Sequence, residues 1–564
     1  MFFQDYLKIQ FNEIMNFLIS NGEVGDFEFK KQSFGIEIPQ KSGFGDISSN
    51  IAMVLAKTFK TSPIKLAKLI QNELSKKNFI KKVEVVNPGF IYIFFYKEFW
   101  HNQLSLILKN GLKFNYNVKK QKVCIEFVSA NPTGLMHIGH ARGAVLGDSI
   151  SSLLEEVGYE TLREYYINDA GEQIKKLIKT IDFHLINNHK KNVEFPEDLY
   201  PGEYLRTLSS SFANNKKVKK NKIIDMIMSD IKKDLNELKV KHTNFVSEEN
   251  NLKPIKIESL KSKLLKDDLA YYGFQEKPKI STSDWKPEQQ FLFRSKKFGD
   301  DSDRALLKPN NELTYFMSDI IYHNEKLERN FDILINIWGA DHTGYVMRLK
   351  NALQSINPKK KYFFEIKLTA LVNLMENNRP IKMSKRAGSY ITLREVLKKV
   401  GTDPIRFMMI SRSPDKKIDF DLKTVLEKTK DNPVFYIQYA YARCKSILRI
   451  SDNLFKKKID FTNCNISYLE LKEEKSLIIH LCNFKNIIFN SAINYEPHKL
   501  ANYLYDLSKM FHNYWGLGNM DNKKKIINEK KIEISISRLA LVFSVSLILK
   551  KGLDLLKINC PDSM

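Results

Sequence analysis

The sequence predicts an α/β protein with a parallel central sheet, a small α+β module before it and an all-α region after it. A length of 564 residues suggests about three domains, and 43% hydrophobic residues are typical of a globular chain. A strand–loop–helix–strand pattern at residues 122–167 indicates the sheet, and only helical patterns follow Asn432. We therefore predict domains at residues 1–110, 111–425 and 426–564.

The N-terminal module has one amphipathic helix at its start, in which Phe11, Ile14 and Leu18 share a face. A second helical pattern lies near Ile51–Leu74. The run Val83–Phe95 is rich in β-branched and aromatic residues and predicts strand structure. Together these elements predict a small α+β fold.

The central region begins with the β-branched run Lys122–Val128, which predicts a strand. The loop Ser129–Gly134 follows, and then a helix that ends at Gly158. The next strand is predicted at Leu162–Ile167. In such a βαβ unit, the loop after the first strand faces the ligand crevice at the carboxyl end of the sheet. The GxGxxG fingerprint is absent, so NAD or FAD binding is not expected.

Residues 185–300 are rich in Lys and Asn and are predicted to form an insertion with solvated helices. The α/β pattern resumes at Phe331–Ile337 and continues through Phe364–Leu374. From Asn432 onward, helical patterns predict an all-α region.

The overall composition predicts a cytoplasmic protein. The five cysteines are far apart and form no CxxC pair, which excludes a disulfide scaffold and a zinc knuckle. The longest apolar stretch, Leu539–Leu549, is too short for a membrane span, and the first residues do not resemble a signal peptide. The net charge of +25 fits either a polyanionic partner or a Lys-rich composition without function, and the sequence leaves both open.

A first candidate site lies where the loop enters the helix. His137 and His140 are three residues apart at the predicted helix N-terminus, where imidazoles and free N–H groups can hold phosphate oxygens. Gly139 between them lets a flat base lie against the backbone. The alternative is a histidine pair that only caps the helix or binds a metal.

A second candidate site is the segment Arg379–Gly388. Lys382, Lys385 and Arg386 lie within five residues, beside Met383 and Ser384. Such a loop could neutralise the charge that develops on a departing pyrophosphate. By itself it could also be a basic surface turn.

The two sites together resemble class I aminoacyl-tRNA synthetases. His137–His140 reads HIGH, and Lys382–Arg386 matches the KMSKS signature except for its last residue. The wider strings resemble the arginyl-tRNA synthetase family of bacterial type, which implies a Rossmann-like catalytic domain and an all-α anticodon-binding domain. These strings lie at residues 126–134, 163–171, 314–319, 338–342, 412–415, 419–421 and 432–440, with others near the two termini at 45–46, 87–90 and 560–564.

The resemblance implies the reaction and its partners. Arginine and ATP, as its Mg²⁺ complex, form arginyl-adenylate and pyrophosphate, and arginine then moves to the 2′-hydroxyl of the terminal ribose of tRNA-Arg. No zinc or other protein-bound metal is expected. ATP binding is implied for His137, Gly139, His140, Met383, Ser384 and Lys385, and catalysis for His137, His140, Lys382 and Lys385.

The resemblance also implies an acidic pocket for arginine. A guanidinium group requires carboxylates in a fork geometry. The implied residues are Glu126, Ser129, Asn131, Tyr315, Asp319, Asp341 and His342. Tyr315 and Asp319 are four residues apart, so on a helix they share a face. The alternative for Asp319 is a helix cap or a surface acid.

Two regions are implied to bind tRNA. In the N-terminal module, Asn87 and Phe90 match residues that meet a base of the D-loop, and an aromatic ring suits an unstacked base. In the C-terminal region, Tyr436, Gln438 and Tyr441 are candidates for the anticodon loop. For these aromatic residues the alternative is core packing.

Two other functions remain open at this stage: a class I synthetase for another amino acid, lysine being the nearest cation, and a non-catalytic tRNA-binding paralogue. The sequence departs from the usual pattern at Glu172, Thr343 and Met347. We expect a monomer that does not bind membranes.

Overall fold

The computed structural model describes residues 2–25, 34–39, 43–187, 193–212, 218–275, 288–377, 379–381, 391–429, 431–456 and 458–564. The N-terminal module is a four-stranded antiparallel sheet with the strand order β1-β2-β4-β3, packed against helices. Its elements are α1 Phe3–Ser20, β1 Ile36–Glu37, β2 Ile47–Ser49, α2 Ile51–Leu55, α3 Pro63–Ser75, β3 Ile80–Val86, β4 Phe90–Phe95 and α4 Lys97–Asn110.

Two N-terminal elements that the sequence predicts as continuous are each divided. Proline begins α3, where the Ser62 side chain accepts a hydrogen bond from the backbone N–H of Lys65. The predicted strand at residues 83–95 is instead a hairpin that turns at Pro88 and Gly89. The turn requires a φ of 148° at Gly89, and residues with a side chain disfavour this conformation. The hairpin therefore leaves Asn87 in the turn and Phe90 at the start of β4.

The central region contains a five-stranded, fully parallel sheet in the order β12-β11-β5-β6-β7. Its first part consists of β5 Lys122–Glu126, α5 Ile138–Val157, β6 Glu160–Ile167, α6 Gly171–Ile186, α7 Glu203–Ser210, α8 Lys220–Glu237, β7 Asn244–Ser247, α9 Glu248–Asn251, α10 Pro254–Lys266, β8 Ala270–Phe274, β9 Gln289–Phe293 and β10 Arg304–Ala305. The second part consists of α11 Tyr315–Glu328, β11 Ile333–Gly339, α12 Val346–Ile356, β12 Phe363–Thr369, β13 Val372–Glu376, β14 Arg379–Pro380, α13 Leu393–Val400, α14 Thr402–Ile410 and β15 Ile418–Asp421. The predicted strand, loop and helix around His137 are confirmed, and Gly158 ends α5 in a left-handed conformation.

The predicted insertion at residues 185–300 is wrong in part. Strand β7 pairs in parallel with β6 and forms one edge of the central sheet. Helix α8 buries an apolar face that includes Ile227 and Ile231. Within the described part of this stretch, β8 and β9 lie outside the central sheet and form a separate antiparallel sheet with β10. Residues 220–247 therefore belong to the core fold, although their Lys-rich surface suggests otherwise.

The C-terminal region is all-α, as predicted, with α15 Pro433–Phe455, α16 Lys472–Cys482, α17 Phe484–Ile493, α18 Pro497–Met520 and α19 Ile532–Leu555. Helix α19 is long and apolar enough to cross a membrane, with a mean hydropathy of 1.9. However, 67% of its most apolar window is buried, and it packs against α15, α16 and α18. Its composition is that of a central core helix.

Candidate functional site

The histidine pair lies at the carboxyl end of β5, where the chain enters α5. His137 is the N-cap of α5, and its Nδ1 accepts a hydrogen bond from the backbone N–H of Gly139 at 3.1 Å. His140 Nδ1 accepts from the backbone N–H of His137 at 3.2 Å. The two rings stack with their centroids 4.0 Å apart. The geometry fixes both imidazoles at the helix N-terminus, where the dipole favours anions.

A cavity of about 480 Å³ opens beside this pair. It is lined by His137, Gly139, His140, Gly143 and residues 337–341 and 369–372. A side chain at position 139 would lie only 2.9 Å from the His137 ring, so glycine keeps this wall flat. Flat glycine walls beside imidazoles suit a nucleotide base and its phosphates.

A larger, acid-rich cavity of about 1150 Å³ lies on the other side of His140. All seven residues predicted to bind arginine line it: Glu126, Ser129, Asn131, Tyr315, Asp319, Asp341 and His342. Glu248, which was not predicted, lines the same cavity. Residues from β5, α9, α11 and the end of β11 thus meet in one place.

Asp319 is the most buried carboxylate on the α11 wall of this cavity, with 7% of its surface exposed. Its Oδ2 accepts a hydrogen bond from the Tyr345 hydroxyl at 2.7 Å. Burial, together with the nearby charges of Glu126 and Glu248, raises the pKa of Asp319 to about 8. The carboxyl needs a cation before it can ionise readily, and the surface-acid alternative does not fit this environment.

Glu126 forms part of the cavity floor but already has a cationic partner. The ammonium of Lys326 is wholly buried, binds Glu126 and lies 3.7 Å from Glu164. Arg329 also forms an ion pair with Glu164, with its Nη1 2.6 Å from a carboxylate oxygen. Lys326 could not be predicted from the sequence, because nothing in its helical surroundings indicates that it points inward. The positive charge of Lys326 offsets the negative charge of Glu126. Asp319 and Glu248 are therefore the buried acids of the cavity that a cationic ligand would pair with.

Glu248 follows β7 directly, and the predicted insertion hid it. Burial raises the pKa of Glu248 to about 7, and the charge of Asp169 adds to this effect. The Tyr166 hydroxyl and the Ala170 backbone N–H favour the ionised carboxylate and lower the pKa, but less than burial raises it. The available sequence signal was its position after an apolar strand, next to the other strand ends.

The remaining predicted pocket residues lie at the rim or below it. Tyr315 is 58% exposed, and Asn131 donates a hydrogen bond to the Gln173 side chain at 2.6 Å. His342 Nε2 lies 3.6 Å from an exposed oxygen of Asp341. Ser129 donates to Glu126 at 3.3 Å and accepts from the Tyr166 backbone N–H at 3.1 Å, so its hydroxyl holds the cavity floor together.

The predicted anion clamp lies outside the described residues. This applies to Lys382, Met383, Ser384, Lys385 and Arg386. The described chain stops at Ile381, just after β14, and resumes at Ile391, just before α13. Thr392, the N-cap of α13, forms an isolated antiparallel bridge with His137, so the described chain resumes beside the histidine pair.

Three family models match the chain in succession. They are described as "Arginyl tRNA synthetase N terminal domain" at residues 6–95, "tRNA synthetases class I (R), catalytic domain" at 103–421 and "DALR anticodon binding domain" at 437–564. The second model alone covers more than half of the chain. The chain belongs to the arginyl-tRNA synthetase family.

Relatives of the synthetase match over almost its full length. The arginine–tRNA ligase of Agrobacterium fabrum is 38% identical over 98% of this chain and 97% of its own. That of Bartonella bacilliformis is 40% identical over 94% of each. The Thermus thermophilus arginyl-tRNA synthetase structure covers 99% of this chain with a TM-score of 0.73 at 18% identity, which shows the shared fold. The predicted family and fold class are confirmed.

The residues predicted to contact tRNA differ in accessibility. Asn87 is exposed at the hairpin turn, and the Phe90 ring stacks on Tyr92 with centroids 6.5 Å apart. Phe44, which is 42% exposed, contacts the same tyrosine at 5.5 Å. The three rings form an aromatic row on the N-terminal module of the synthetase.

In the C-terminal region the structure argues against two of three candidates. Tyr441 is buried, with 4% exposed, and its hydroxyl bonds to Asp562. Gln438 donates to the Asp403 carboxylate at 2.9 Å and to the Asn559 carbonyl at 3.0 Å. Both side chains therefore serve internal contacts. Tyr436 remains a candidate and packs on His512 with centroids 4.5 Å apart.

The raised pKa values in the acid-rich cavity predict how kcat/KM for arginine depends on pH. Below about pH 7 to 8, Glu248 and Asp319 hold protons, so the cavity presents less negative charge to a cationic ligand. We expect kcat/KM for arginine to rise from pH 6 to 8.5, by about tenfold per pH unit where one carboxyl titrates. The measurement is steady-state kinetics, with kcat/KM for ATP as the control. A parallel rise for ATP, or a flat arginine profile, would contradict the assignment.

Proposed function

We propose that the acid-rich cavity binds arginine, that the cavity beside the histidine pair binds ATP, and that the two meet at His140. The family charges tRNA with arginine, and the chain is an ATP-dependent aminoacyl-tRNA ligase. The observation that carries the proposed assignment is the cluster of buried acids, since only a cationic substrate stabilises Asp319 and Glu248 in their ionised forms. A small or apolar amino acid would leave these groups unpaired.

In the proposed arginine complex, Asp319 and Glu248 accept hydrogen bonds from the guanidinium group. The Tyr315 ring covers the ligand from the rim. Asn131, Asp341 and His342 line the same cavity as His140, and we assign them to the α-amino and carboxylate groups of arginine. Glu126, paired with Lys326, contributes shape and a partial charge.

In the first step, a carboxylate oxygen of arginine attacks the α-phosphorus of MgATP, and pyrophosphate leaves. His137 and His140 donate hydrogen bonds to phosphate oxygens, and the N-terminus of α5 adds positive potential. In the second step, the 2′-hydroxyl of the terminal tRNA ribose attacks the arginyl carbonyl, and AMP leaves. The protein supplies no nucleophile in either step.

The proposed tRNA surface includes the aromatic row of the N-terminal module and Tyr436. An unpaired base can stack on Phe90 or Phe44, because every base presents a flat face. The net charge of +25 favours a polyanionic partner of this kind. We further propose that the enzyme acts as a monomer in the cytoplasm.

The decisive experiment is ATP–pyrophosphate exchange with and without total tRNA. Arginine is expected to support exchange, and lysine is expected to fail because its ammonium cannot bridge two carboxylates as a planar fork does. Equal exchange with lysine would contradict the arginine assignment. Charging of tRNA with labelled arginine then tests the second step.

Lys385→Ala is expected to lower kcat for arginyl-adenylate formation by about 100-fold or more, with a small change in KM for arginine. The lysine is proposed to meet charge that develops on pyrophosphate mainly in the transition state, and such losses fall on kcat. Single-turnover adenylation measures it. Lys399→Ala, which removes an exposed charge from α13, is the control and should stay within about twofold. Unchanged adenylation by the Lys385 variant would refute the role.

A further inference from the structure

Two helices from different parts of the chain end in the same way and face each other. Helix α8 of the catalytic region is followed by Lys239, and the C-terminal α19 is followed by Lys557. Both lysines have left-handed backbones, with φ values of 59° and 54°. In both cases the next residue donates a backbone hydrogen bond back into the helix, from Val240 to Leu235 and from Ile558 to Leu553. This type of helix end normally carries glycine.

The two lysine side chains cross between the helix ends. The Lys239 ammonium donates to the Lys557 carbonyl at 3.2 Å, and the Lys557 ammonium donates to the Lys239 carbonyl at 3.4 Å. Each cation thus lies at the carbonyl end of the opposite helix, where the helix dipole favours positive charge. We call this reciprocal pair the lysine clasp.

Each lysine of the clasp also binds a carboxylate of the catalytic region. Lys557 donates to the fully buried Asp148 of α5 at 2.6 Å, and Lys239 donates to Asp403 of α14 at 3.3 Å. Arg406 closes the arrangement, because its guanidinium binds Asp148 and the carbonyls of Leu238 and Leu556 at 2.8–2.9 Å. The clasp therefore holds the C-terminal end of the chain against α5, the helix whose N-cap is His137.

The clasp also connects to the first helix of the anticodon-domain match. Asn559 accepts from Lys239 at 2.9 Å, and its carbonyl accepts from Gln438 at 3.0 Å. Gln438 lies two residues after Tyr436, the proposed anticodon contact, and also binds Asp403. A continuous set of hydrogen bonds thus runs from α15 through the clasp to α5.

We propose that Lys239 and Lys557 are positioning residues that hold α5, with His137 and His140, in register with the C-terminal helices when tRNA is bound. The proposal rests on the proposed function. Both positions have a backbone conformation that suits glycine, yet both carry lysine. The presence of lysine is explained if the two ammonium groups are needed to join the helix ends. A structural role alone would change stability, whereas a positioning role also changes turnover of the folded enzyme at unchanged tRNA affinity.

The test compares aminoacylation of tRNA-Arg by the full-length chain and by Lys557→Met, Lys557→Gly and Lys239→Met. We expect kcat to fall about tenfold or more, while the Kd for tRNA changes less than about threefold. Lys557→Gly relaxes the backbone but removes the cation, so it should lose activity as Lys557→Met does. Lys557→Arg retains the charge and should restore most of the activity. Circular dichroism at the assay temperature ensures that folded proteins are compared.

Lys551→Met is the matched control, because Lys551 of α19 pairs with Glu156 of α5 at 2.7 Å, across the same helices but away from the clasp. Its kcat should stay within about twofold. Unchanged kcat in the clasp variants, or an equal loss in Lys551→Met, would overturn the proposal. If one clasp variant does not fold, the other two provide the comparison. Failure of the proposed function would instead appear in the unaltered chain, as a lack of arginine charging.

Discussion

Asp319→Asn is expected to lower kcat/KM for arginine by roughly 30- to 5,000-fold, which corresponds to about 2–5 kcal/mol for a lost buried charged hydrogen bond. The asparagine keeps the shape of the side chain but turns an acceptor into a group that can point N–H donors at the guanidinium. The variant should fold, because Asp319 carries a proton at neutral pH when its pKa is about 8, and asparagine resembles that neutral form. ATP–pyrophosphate exchange measures the effect.

A second substrate and a control variant make the test of Asp319 more specific. Citrulline has a carbonyl oxygen in place of one guanidinium nitrogen, so the ratio of arginine to citrulline activation should fall in the variant. Glu312→Gln is the matched control, since Glu312 lines the same cavity at its rim and pairs with Lys308 at 3.0 Å. Its effect should stay within about threefold. If Asp319→Asn activates arginine normally, the guanidinium site must lie around Glu126 and Glu248 instead.

Asp148→Asn is expected to lower the free energy of unfolding by about 3–5 kcal/mol. The carboxylate is fully buried and binds Arg163 at 2.6 Å, Arg406 at 2.8 Å and Lys557 at 2.6 Å. The amide would leave these cations without their anion in an environment that solvates charge poorly. Urea unfolding followed by circular dichroism provides the measurement.

The contribution of Asp148 to the free energy of unfolding depends on pH, and its sign follows from the shift in the pKa of Asp148. Burial alone would raise the pKa of Asp148, but Arg406, Lys557 and Arg163 hold it below its usual range. The stabilisation is therefore fully present above the unfolded-state pKa of about 4 and is lost as the pH falls through the folded-state value. Glu258→Gln, which removes an exposed pair with Lys261, should change stability by less than about 0.5 kcal/mol. A similarly small effect of Asp148→Asn would show that the three cations are satisfied by other groups.

Features that depend on neighbouring residues could be predicted from the sequence. The β-branched run before residue 127, the loop and the apolar face of the next helix place His137 and His140 at a strand-to-helix turn. Tyr315 and Asp319 share one face of α11 because a helix repeats every 3.6 residues. The sequence motifs around these residues also indicated the family, because a local motif can be recognised without knowing what it contacts in the folded protein.

Features that depend on contacts between distant residues could not be predicted in this way. Glu248 was missed because β7 is short and lies in a Lys-rich stretch, and only pairing with β6 brings it into the sheet. Lys326 and Tyr441 both lie in helices. From the sequence alone, a lysine in a helix is expected at the surface, and a tyrosine such as Tyr441 can be taken for a binding residue. Whether such a side chain points inward depends on partners hundreds of residues away, such as Glu126 for Lys326.

The sequence by itself therefore determined the family, the order of α/β and all-α regions, and most of the residues around the acid-rich cavity. The tertiary structure alone decided which acids remain unpaired in that cavity and which lysines join the catalytic region to the C-terminal helices. Lys239 and Lys557 are 318 residues apart, and no local pattern distinguishes them from the many solvated lysines of this chain. The physical reason is that the energy of a charge depends on its burial and its partners, and both are set by how the helices pack.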